Sequence, residues 1–539
     1  MDNSVQEKPR LVNAGQGFSI LKTVEYKGRF LYSRYNPAKA IETYIDKIQL
    51  QSGTLVIICS PLLWYGIEKL KSVLPEKCEI AALEDDANLL KLAAENNSAN
   101  VPLFKLSDRE SIDSFTRSIC RNGNIKRIFR IDFSAGTVFS KESFDFTVNA
   151  INEIIATFWK NRITLVKFGR LFSKNFLRNI ARLGHSETLD NVEKTVSKPL
   201  IVFGAGEGLD SFLYPDFSPS DFFILAVDAA LSPLLSRNIR PNAVVTMESQ
   251  LAIEKAFLDA KNSDILLFAD LCARPEATKI PGGKVIWFAT EYTEGNFFDS
   301  LKKSNIIKNF IAPMGSVGLA ATYIALKLRS SSSVPVFTAG LDFSYTIGTT
   351  HAKGTMALKQ RLINSNRLVP AENYDAAFSE VAQTAVSKAG KKIRTTKILL
   401  QYARQFYIMF QNEKNLFDCS STGINLGIPQ SNIFTIKEST AKEKCESSKN
   451  GFAFCENEKR ELEKLRSLLS DGEKSPFVSK KSSISNQIRE LAESREYLFL
   501  HFPDGYSFKM EQSFLKRIRA ETDFFIKQLE IAIRENKPL

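Results

Sequence analysis

Residues 199–210 read PLIVFGAGEGLD and decide how the fold is interpreted. A short apolar run is followed by a glycine-rich turn, and the turn leads into residues with a helical pattern. Glycines between a strand and a helix leave the backbone N–H groups and the helix N-terminus open to a phosphate. No Gly-Lys-Ser/Thr ending follows, so the stretch predicts a nucleotide site that is not a P-loop.

Apolar runs of the same kind recur downstream, separated by segments with a helical pattern. Near-continuous apolar strands that alternate with helices are typical of a parallel sheet buried on both faces. The predicted fold class is therefore α/β, with a Rossmann-like, doubly wound central domain. The predicted strands are PLIVFGAG (199–206), FFILAVDAA (222–230), NAVVTMES (242–249), DILLFAD (264–270), KVIWFAT (284–290) and VPVFTAGLDFS (334–344).

The regions on either side of this sheet predict two further domains, because 539 residues exceed what one hydrophobic core supports. Strand patterns at TLVIICS (54–60) and CEIAAL (78–83) predict an N-terminal α/β domain over residues 1–198. The turn after its first strand lacks glycines, so we interpret this domain as a scaffold. The central domain covers residues 199–436.

Other stretches have a helical pattern. Residues 159–198 and 356–411 are predicted to be helical. The segment KESTAKEKCESSKNG, 437–451, predicts a linker that opens a helical C-terminal domain, residues 437–539. Apolar residues recur there at helical spacing and predict a bundle core or a groove for a partner. They are Leu462, Leu465, Leu469, Phe514, Ile518, Phe525, Leu529 and Ala532.

The composition limits the partners and the location. A net charge of +12 favours an anionic ligand such as a nucleotide, although a solubilising surface explains it equally well. No basic run with interleaved aromatic residues occurs, so nucleic acid is not a predicted partner. Seven scattered cysteines and an N-terminus unlike a signal peptide predict a cytoplasmic protein. Residues 309–326 are uncharged but contain Pro313 and two glycines, and predict a loop and buried helix instead of a membrane span.

Acidic residues lie at the ends of four predicted strands. Open α/β sheets bind ligands at the carboxyl ends of their strands, so these side chains are candidates for a ligand site. Each is equally well explained as a helix N-cap or a loop acid. The four are Asp228, Glu248, Asp270 and Asp342.

The loop after the last predicted strand, AGLDFSYTIGTTHAKG at 339–354, combines Asp342, Tyr345 and His351. Histidine ionises near neutral pH, so His351 is a candidate general base, with a loop hydrogen-bonding role as the alternative. Upstream, the loop MGSVG at 314–318 precedes a helical pattern. It offers Ser316 and free backbone donors as a second contact for an anion or a ribose.

Several blocks of the chain resemble the motility-associated factor proteins, which are flagellin nonulosonic-acid glycosyltransferases, and the related archaeal hydroxymethylpterin diphosphokinase-like proteins. The blocks are FGAGEGLD (203–210), ILAVDAALSPLLSRNIRPNAVVTMES (224–249), GSVGLAATYIALKL (315–328) and VFTAGLDFSYTIGTTHA (336–352). Farther along, NLFDCSSTGINLGIPQ (415–430) resembles a second family block, an acid followed by a threonine- and glycine-rich turn. The central blocks are also similar to the Gly-x-Asp-Phe strand end and the Ser-Gly loop of bacterial sialyltransferases.

The resemblance implies a site for a CMP-activated donor in a Rossmann-like domain similar to that of bacterial sialyltransferases. The implied substrate and nucleotide contacts are Gly204, Gly206, Asp210, Asp228, Glu248, Gly315 and Ser316. The implied catalytic residues are His351 as base, Tyr345 toward the departing phosphate and Asp342 as an organiser of the site.

Two positions depart from the family pattern. Glu207-Gly208 stands where the family has Pro-Ser, and Glu248 stands where an aspartate is typical. Glu207 adds an anion and removes a hydroxyl donor, which predicts altered contacts to the donor at this turn.

The sequence therefore predicts an inverting glycosyltransferase that moves a nonulosonic acid, such as pseudaminic acid, from CMP to serine or threonine of flagellin, for flagellar assembly and motility. No cofactor is required by this chemistry, and the acids leave room for a divalent metal. One alternative is a Mg-ATP-dependent 6-hydroxymethylpterin-type diphosphokinase with Asp228, Glu248 and Asp342 holding the metal. The other is a non-catalytic protein that binds flagellin as a chaperone.

Overall fold

The computed structural model describes residues 8–14, 21–183, 186–212, 217–293, 295–431, 451–474 and 483–537. Contacts divide the chain into two compact units. Unit 1 consists of Met1–Lys167 and Leu500–Ser507, and unit 2 of Phe168–Phe499 and Phe508–Leu539. Residues 437–450 of the predicted linker lie outside the described residues, and the division into three domains stays a prediction.

Unit 1 is built on two sheets. Its elements are β1 (Arg10–Ala14), β2 (Leu21–Tyr26), β3 (Arg29–Phe30), α1 (Lys39–Lys47), β4 (Thr54–Cys59), α2 (Ile67–Val73), β5 (Glu79–Glu84), α3 (Ala87–Glu95), β6 (Leu103–Lys105), α4 (Arg109–Cys120), β7 (Arg127–Asp132) and the first part of α5 (Lys141–Ile180). The first three strands form an antiparallel sheet, and the other four form a parallel sheet in the order β6-β5-β4-β7. Successive residues of β4 enter two different apolar clusters, so both faces of this strand are buried.

Unit 2 contains the larger sheet and most of the helices. Its elements are β8 (Glu187–Thr188), α6 (Leu189–Val192), β9 (Leu200–Phe203), α7 (Gly208–Phe212), β10 (Phe223–Val227), α8 (Asp228–Leu235), β11 (Ala243–Thr246), β12 (Leu266–Asp270), β13 (Val285–Phe288), α9 (Asn296–Lys303), α10 (Val317–Leu328), β14 (Val336–Ala339), α11 (Met356–Asn364), α12 (Tyr374–Phe378), β15 (Ala382–Val386), β16 (Lys392–Thr396), α13 (Lys397–Phe410), β17 (Leu416–Asp418), α14 (Gly451–Lys474), α15 (Ser483–Glu493) and α16 (Gln512–Glu535).

The large sheet of unit 2 has eight strands in the order β17-β14-β9-β10-β11-β12-β13-β8, and every neighbouring pair is parallel. All residues of β9, β11, β13 and β14 are buried, which explains their continuous apolar sequences. The predicted α/β class is confirmed, and each of the six predicted strands contains one strand of this sheet. After β9 the chain adds strands on one side as far as β13, and then returns to place β14 on the other side of β9. The order of the strands therefore reverses between β9 and β14, which is where open α/β sheets bind ligands.

Two of the helical predictions were wrong in part. Residues 382–396 of the segment predicted to be helical form the β15–β16 hairpin. Its strands, AQTAV and KIRTT, are rich in β-branched residues and flank a turn with Gly390, which favours a hairpin over a helix. Upstream, α5 ends at Ile180, and β8 follows as a two-residue edge strand. A strand that short leaves no periodic pattern to detect.

The C-terminal helices of unit 2 form a small bundle in which α14 packs against α16 and α15. All eight apolar residues of the predicted stripes are buried, with Leu462 and Phe514 fully inaccessible. Burial of these side chains removes the apolar stripe from solvent and leaves no exposed groove along it. The bundle-core prediction is therefore confirmed for these residues. No described helix combines the length and apolar character that crossing a bilayer requires.

Candidate functional site

A cleft of about 530 Å³ opens in unit 2 where the order of the strands reverses. Its walls come from the segments that follow β9, β10 and β14, from the start of α10, and from α12. The structure brings together seven of the predicted site residues in this cleft. They are Gly204, Gly206, Asp228, Ser316, Asp342, Tyr345 and His351. Among the described residues that line the cleft, none is lysine or arginine, so an anion would be met mainly by neutral donors.

The glycine-rich turn after β9 packs against the end of β14. The N–H of Gly204 donates to Ala339 O at 2.8 Å, and the N–H of Gly206 donates to Gly340 O at 2.9 Å. A Cβ atom at Gly204 would overlap Gly340 O, and one at Gly206 would overlap Asp342 Oδ2. The glycines are therefore needed for close approach of two strand ends, and a contact between this turn and a phosphate stays a prediction.

Glu207, the residue that departs from the family pattern, points toward the loop after β14. Its carboxylate accepts hydrogen bonds from the hydroxyl and the N–H of Thr346. A second connection lies next to it, because the N–H of Ala352 donates to Ala205 O at 2.9 Å. Burial raises the pKa of Glu207, and the bonds from Thr346 oppose that effect. Glu207 therefore fastens the loop that carries His351, and it does not line the cleft.

Asp342 lies almost fully buried beneath the cleft, at 3% exposure. Its Oδ2 accepts from the N–H of Gly208 at 2.8 Å, and its Oδ1 accepts from Thr422 Oγ1 at 2.6 Å. Burial raises the pKa of this carboxyl, whereas the two hydrogen bonds lower it. Asp342 therefore joins the first turn of the sheet to the threonine- and glycine-rich turn after β17, and its role toward a bound donor stays a prediction.

The turn after β17 also holds the end of β14. Ser420 Oγ accepts from the N–H of Gly340 at 2.8 Å, and a Cβ atom at Gly423 would lie 2.6 Å from the Asp342 Cα. The two blocks of sequence that resemble the family, although about 70 residues apart, thus meet at one point because β14 and β17 are adjacent strands.

A buried ion pair that sequence analysis did not identify lies beside Asp342. Lys388 Nζ pairs with Asp418 Oδ2, and the two side chains are 4% and 3% exposed. Burial raises the pKa of Asp418, and the charge of Lys388 opposes the rise. The Lys388 charge also lowers the pKa of Asp342. Asp418 is the acid of the block at 415–430 that resembles the family. Lys388 lies in the turn of the β15–β16 hairpin, which was predicted to be helical, so the sequence did not indicate that it would be buried.

The start of α10 borders the cleft through Ser316, Val317 and Gly318. Ser316 is the N-cap, and its Oγ accepts from the N–H of Gly318 at 3.2 Å, which leaves the hydroxyl hydrogen available to a ligand. A helix of twelve residues without an acid in its first turn presents a partial positive charge here. Gly315 does not line the cleft, and a Cβ atom there would overlap the ring of Tyr402.

Asp228 begins α8 on the wall of the cleft and is 6% exposed. Its Oδ1 accepts from the N–H of Ala229 at 2.8 Å, and its Oδ2 accepts from Thr246 Oγ1 at 2.9 Å. Burial raises the pKa of this carboxyl to about 6, against the effect of those two bonds. Its ionisation therefore falls within the range in which enzymes commonly work.

Replacement of Asp228 by asparagine is expected to stabilise the fold at alkaline pH. Because the folded-state pKa is raised, ionisation costs stability above pH 6, and the cost disappears below the unfolded value of 3.8. Asparagine cannot ionise, so we expect a gain of about 3 kcal/mol in unfolding free energy at pH 8 that vanishes near pH 4. Urea denaturation at both pH values measures it. An equal effect at both pH values would contradict the assignment.

His351 and Tyr345 occupy opposite roles in the loop after β14. The ring of His351 is accessible, its Nδ1 lies 3.0 Å from Thr350 Oγ1, and partial desolvation lowers the pKa of the imidazole below 6.5. It is therefore mostly neutral at pH 7 and able to accept a proton. Tyr345 is buried and donates from its hydroxyl to Ala376 O at 2.7 Å. Its hydroxyl hydrogen is engaged in holding α12, and a contact to a departing phosphate stays a prediction.

The remaining predicted acids do not line the cleft. Asp210 pairs with Arg237 at 2.5 Å and accepts from the N–H of Lys353 at 2.8 Å. Glu248 accepts from the N–H of Gln250, and Asp270 accepts from the N–H of Cys272. Glu248 and Asp270 stabilise loops, the alternative that the sequence left open for them, and the contact predicted between Asp210 and the substrate stays a prediction. Within the described ranges, no group of three or more His, Cys, Asp or Glu residues is arranged to hold a metal ion.

Comparison with known proteins places this geometry in a family. The family model described as 6-hydroxymethylpterin diphosphokinase MptE-like matches residues 174–348, which include β9–β14 and the glycine-rich turn. An uncharacterized protein of Treponema pallidum (strain Nichols) is 30% identical over 558 aligned positions, which cover 97% of this chain and 95% of that protein. The chain belongs to the MptE-like family.

A protein of known structure shares the fold over nearly the whole chain. The structure of the Maf glycosyltransferase from Magnetospirillum magneticum AMB-1 aligns with a TM-score of 0.58 at 15% identity and covers 99% of this chain and 93% of the other. The family resemblance predicted from the sequence is thereby confirmed, and the likeness includes both units of the fold. At 15% identity this likeness shows the fold alone.

Proposed function

We propose that the protein is a glycosyltransferase that uses a CMP-activated nonulosonic acid as donor and serine or threonine hydroxyls of flagellin as acceptors. The observation that carries the proposal is the cleft at the reversal of strand order, where the α10 N-terminus and a neutral histidine face the same space. The fold shared with a Maf glycosyltransferase supports this class of reaction.

The donor phosphate is assigned to the start of α10. The Ser316 hydroxyl and the N–H of Val317 supply neutral donors, and the helix dipole favours the anion there. The apolar lining, which includes Leu341, Phe343 and Leu399, gives the nucleoside a surface to pack on. The cleft volume of about 530 Å³ is within the range of small-molecule sites.

The reaction is a displacement at the anomeric carbon of the sugar. The acceptor oxygen forms a bond to that carbon, the bond from the carbon to the phosphate oxygen breaks, and CMP leaves with the bonding electrons. His351 accepts the proton of the acceptor hydroxyl, and the α10 donors stabilise the charge that develops on the leaving phosphate. Attack on the side opposite to CMP inverts the configuration. Phosphate is already a good leaving group, so the step uses no redox cofactor.

Flagellin and pseudaminic acid are the partner and the sugar that this proposal adopts, with the cytoplasm as the place where unassembled flagellin is met. A role in flagellar assembly and motility follows from that acceptor. Intact-mass analysis of flagellin from cells with and without the gene tests both, because a loss of discrete sugar masses identifies the reaction and the substrate together. Unchanged masses would exclude flagellin as the acceptor.

One second candidate, a 6-hydroxymethylpterin-type diphosphokinase, is favoured by the description of the family model. It requires Mg²⁺, yet Glu248 is not among the residues that line the cleft with Asp228 and Asp342. Release of AMP from ATP in the presence of the pterin would favour this reaction over sugar transfer.

Replacement of Ser316 by glycine is expected to weaken CMP binding at least about tenfold, because a hydrogen bond to a charged group contributes about 1.5–3 kcal/mol. Glycine retains most of the N-cap preference, so α10 itself is preserved. Thr355→Gly, at the N-cap of α11 outside the cleft, is the matched control. Calorimetric titration with CMP measures both. Equal affinity of wild type and Ser316→Gly would remove Ser316 from the site, and no CMP binding by the wild type would favour a non-catalytic flagellin-binding protein.

A further inference from the structure

Exposed apolar side chains concentrate in a segment of the chain that contributes part of the cleft wall. Of the 24 large apolar residues that are strongly exposed among the described residues, 12 lie between positions 347 and 408. Surface patches of this kind on an otherwise polar protein mark interaction sites. The members nearest to the cleft form what we call the apolar rim. They are Ile347 (54% exposed), Tyr374 (45%), Phe378 (66%) and Val381 (66%).

The apolar rim is continuous with the cleft. Val381 lines the cleft itself, as do Ala376 and Ser379 on either side of Phe378. Gly348 forms a bridge with Asn373, which brings Ile347 beside Tyr374. The segment that carries the rim is also bonded to the loop after β14, the loop that contains His351, because Tyr345 Oη donates to Ala376 O. A molecule seated on the rim therefore reaches directly into the space that His351 faces.

The segment that carries the rim has an excess of basic residues. Residues 347–408 contain ten lysine and arginine residues and three acidic residues. Lys353, Arg367, Lys391, Lys392 and Lys397 are exposed, as are the three acids, Glu372, Asp375 and Glu380. Two copies of this chain meeting through their rims would bring these like charges together, which is unfavourable. A partner with acidic side chains is attracted instead.

We propose that the apolar rim docks the polypeptide acceptor, binding apolar side chains that flank the acceptor hydroxyl while the excess of basic residues attracts acidic residues of the acceptor. The inference rests on the proposed transferase function and extends it. The apolar contact keeps the segment at the mouth, and the adjoining wall of the cleft leads the hydroxyl toward His351. Flagellin is the acceptor used as the probe.

The double variant Ile347→Ser, Phe378→Ser tests the proposal, because neither residue lines the cleft. We expect the KM for non-glycosylated flagellin to rise at least tenfold, while kcat at saturating flagellin and the Kd of CMP stay near the wild-type values. The matched control is Leu251→Ser, Leu258→Ser, which removes two apolar residues exposed at 64% and 56% that also lie outside the cleft. Direct binding of flagellin to immobilised protein is measured in parallel for all three proteins.

The readouts separate the rim from the reaction. A wild type that binds flagellin while the rim variant does not supports docking at the rim, even when no sugar is transferred and the proposed function fails. A rim variant with the flagellin KM and affinity of the wild type overturns the proposal, as does a wild type that binds no flagellin. Sedimentation velocity tests whether a second copy of the chain occupies the rim instead. A dimer that forms in the wild type and is lost in the rim variant would identify the rim as a self-association surface and would also overturn the proposal.

Discussion

Replacement of His351 by alanine is expected to lower kcat for sugar transfer about 10²- to 10⁴-fold, the usual contribution of a general base. Its lowered pKa leaves the ring neutral at pH 7, and its side chain borders the cleft without a carboxylate partner in the described contacts. The affinity for CMP is expected to remain within about twofold, because the phosphate is assigned to α10. Steady-state transfer rates and calorimetry measure the two effects.

The pH profile checks the same assignment independently. A protonated imidazole cannot accept a proton, so the wild-type rate is expected to be constant above pH 7 and to fall as pH drops through the lowered His351 pKa. The residual activity of His351→Ala should lack this acidic limb. Thr350→Val, which removes the neighbour of Nδ1, is the control that keeps the imidazole. Full transfer activity in His351→Ala would contradict the role of base.

Replacement of Lys388 by methionine is expected to lower the free energy of unfolding by about 3–5 kcal/mol, because it leaves a buried carboxylate without its partner. Asp418 is 3% exposed, and its other carboxylate oxygen, Oδ1, accepts from the N–H of Ser420. Since the charge of Lys388 also lowers the pKa of Asp342, the replacement is expected to weaken the hydrogen bonds that Asp342 makes beneath the cleft as well. Chemical denaturation at pH 7 measures the change.

Lys391→Met is the matched control, because Lys391 lies in the same hairpin turn but is exposed. The deficit of Lys388→Met should shrink as pH falls, since Asp418 has a raised pKa and takes up a proton more readily in the folded state. The further change Asp418→Asn should restore most of the lost stability, because it removes the unpaired charge. A deficit below 1 kcal/mol for Lys388→Met, or no rescue, would show that the pair contributes little.

Much of the fold could be predicted because burial on both faces imposes long apolar runs on a strand. Residues 200–203 and 243–246 are buried throughout, and each produces a run that no helix or edge strand requires. The hairpin at 382–396 and the two-residue strand at 187–188 lacked such a signal. Edge strands and small hairpins are half-exposed, so their sequences vary with little cost.

The candidate site was predicted only in part. Asp228, Asp342 and His351 were predicted to lie together because they follow parallel strands, whose carboxyl ends meet at one edge of the sheet, and all three line the cleft. Position after a strand could not distinguish these residues from Asp210 and Glu248, which also follow strands but accept hydrogen bonds from loop N–H groups outside the cleft. Lys388 gave no signal, since a lysine in a turn is ordinarily solvated.

The glycine-rich turn after β9 separates what the local sequence determines from what the tertiary structure determines. The sequence by itself determined that a strand, a turn without side chains and a helix follow one another at 200–212, because apolar runs and glycines constrain the local backbone. Only the tertiary structure decided what approaches those glycines: the end of β14 and the carboxylate of Asp342, more than 130 residues away. It also decided that Glu207 turns to Thr346 instead of facing a ligand. Local backbone preference is encoded in neighbouring residues, whereas the partner of a buried polar group depends on which distant strand lies adjacent in the sheet.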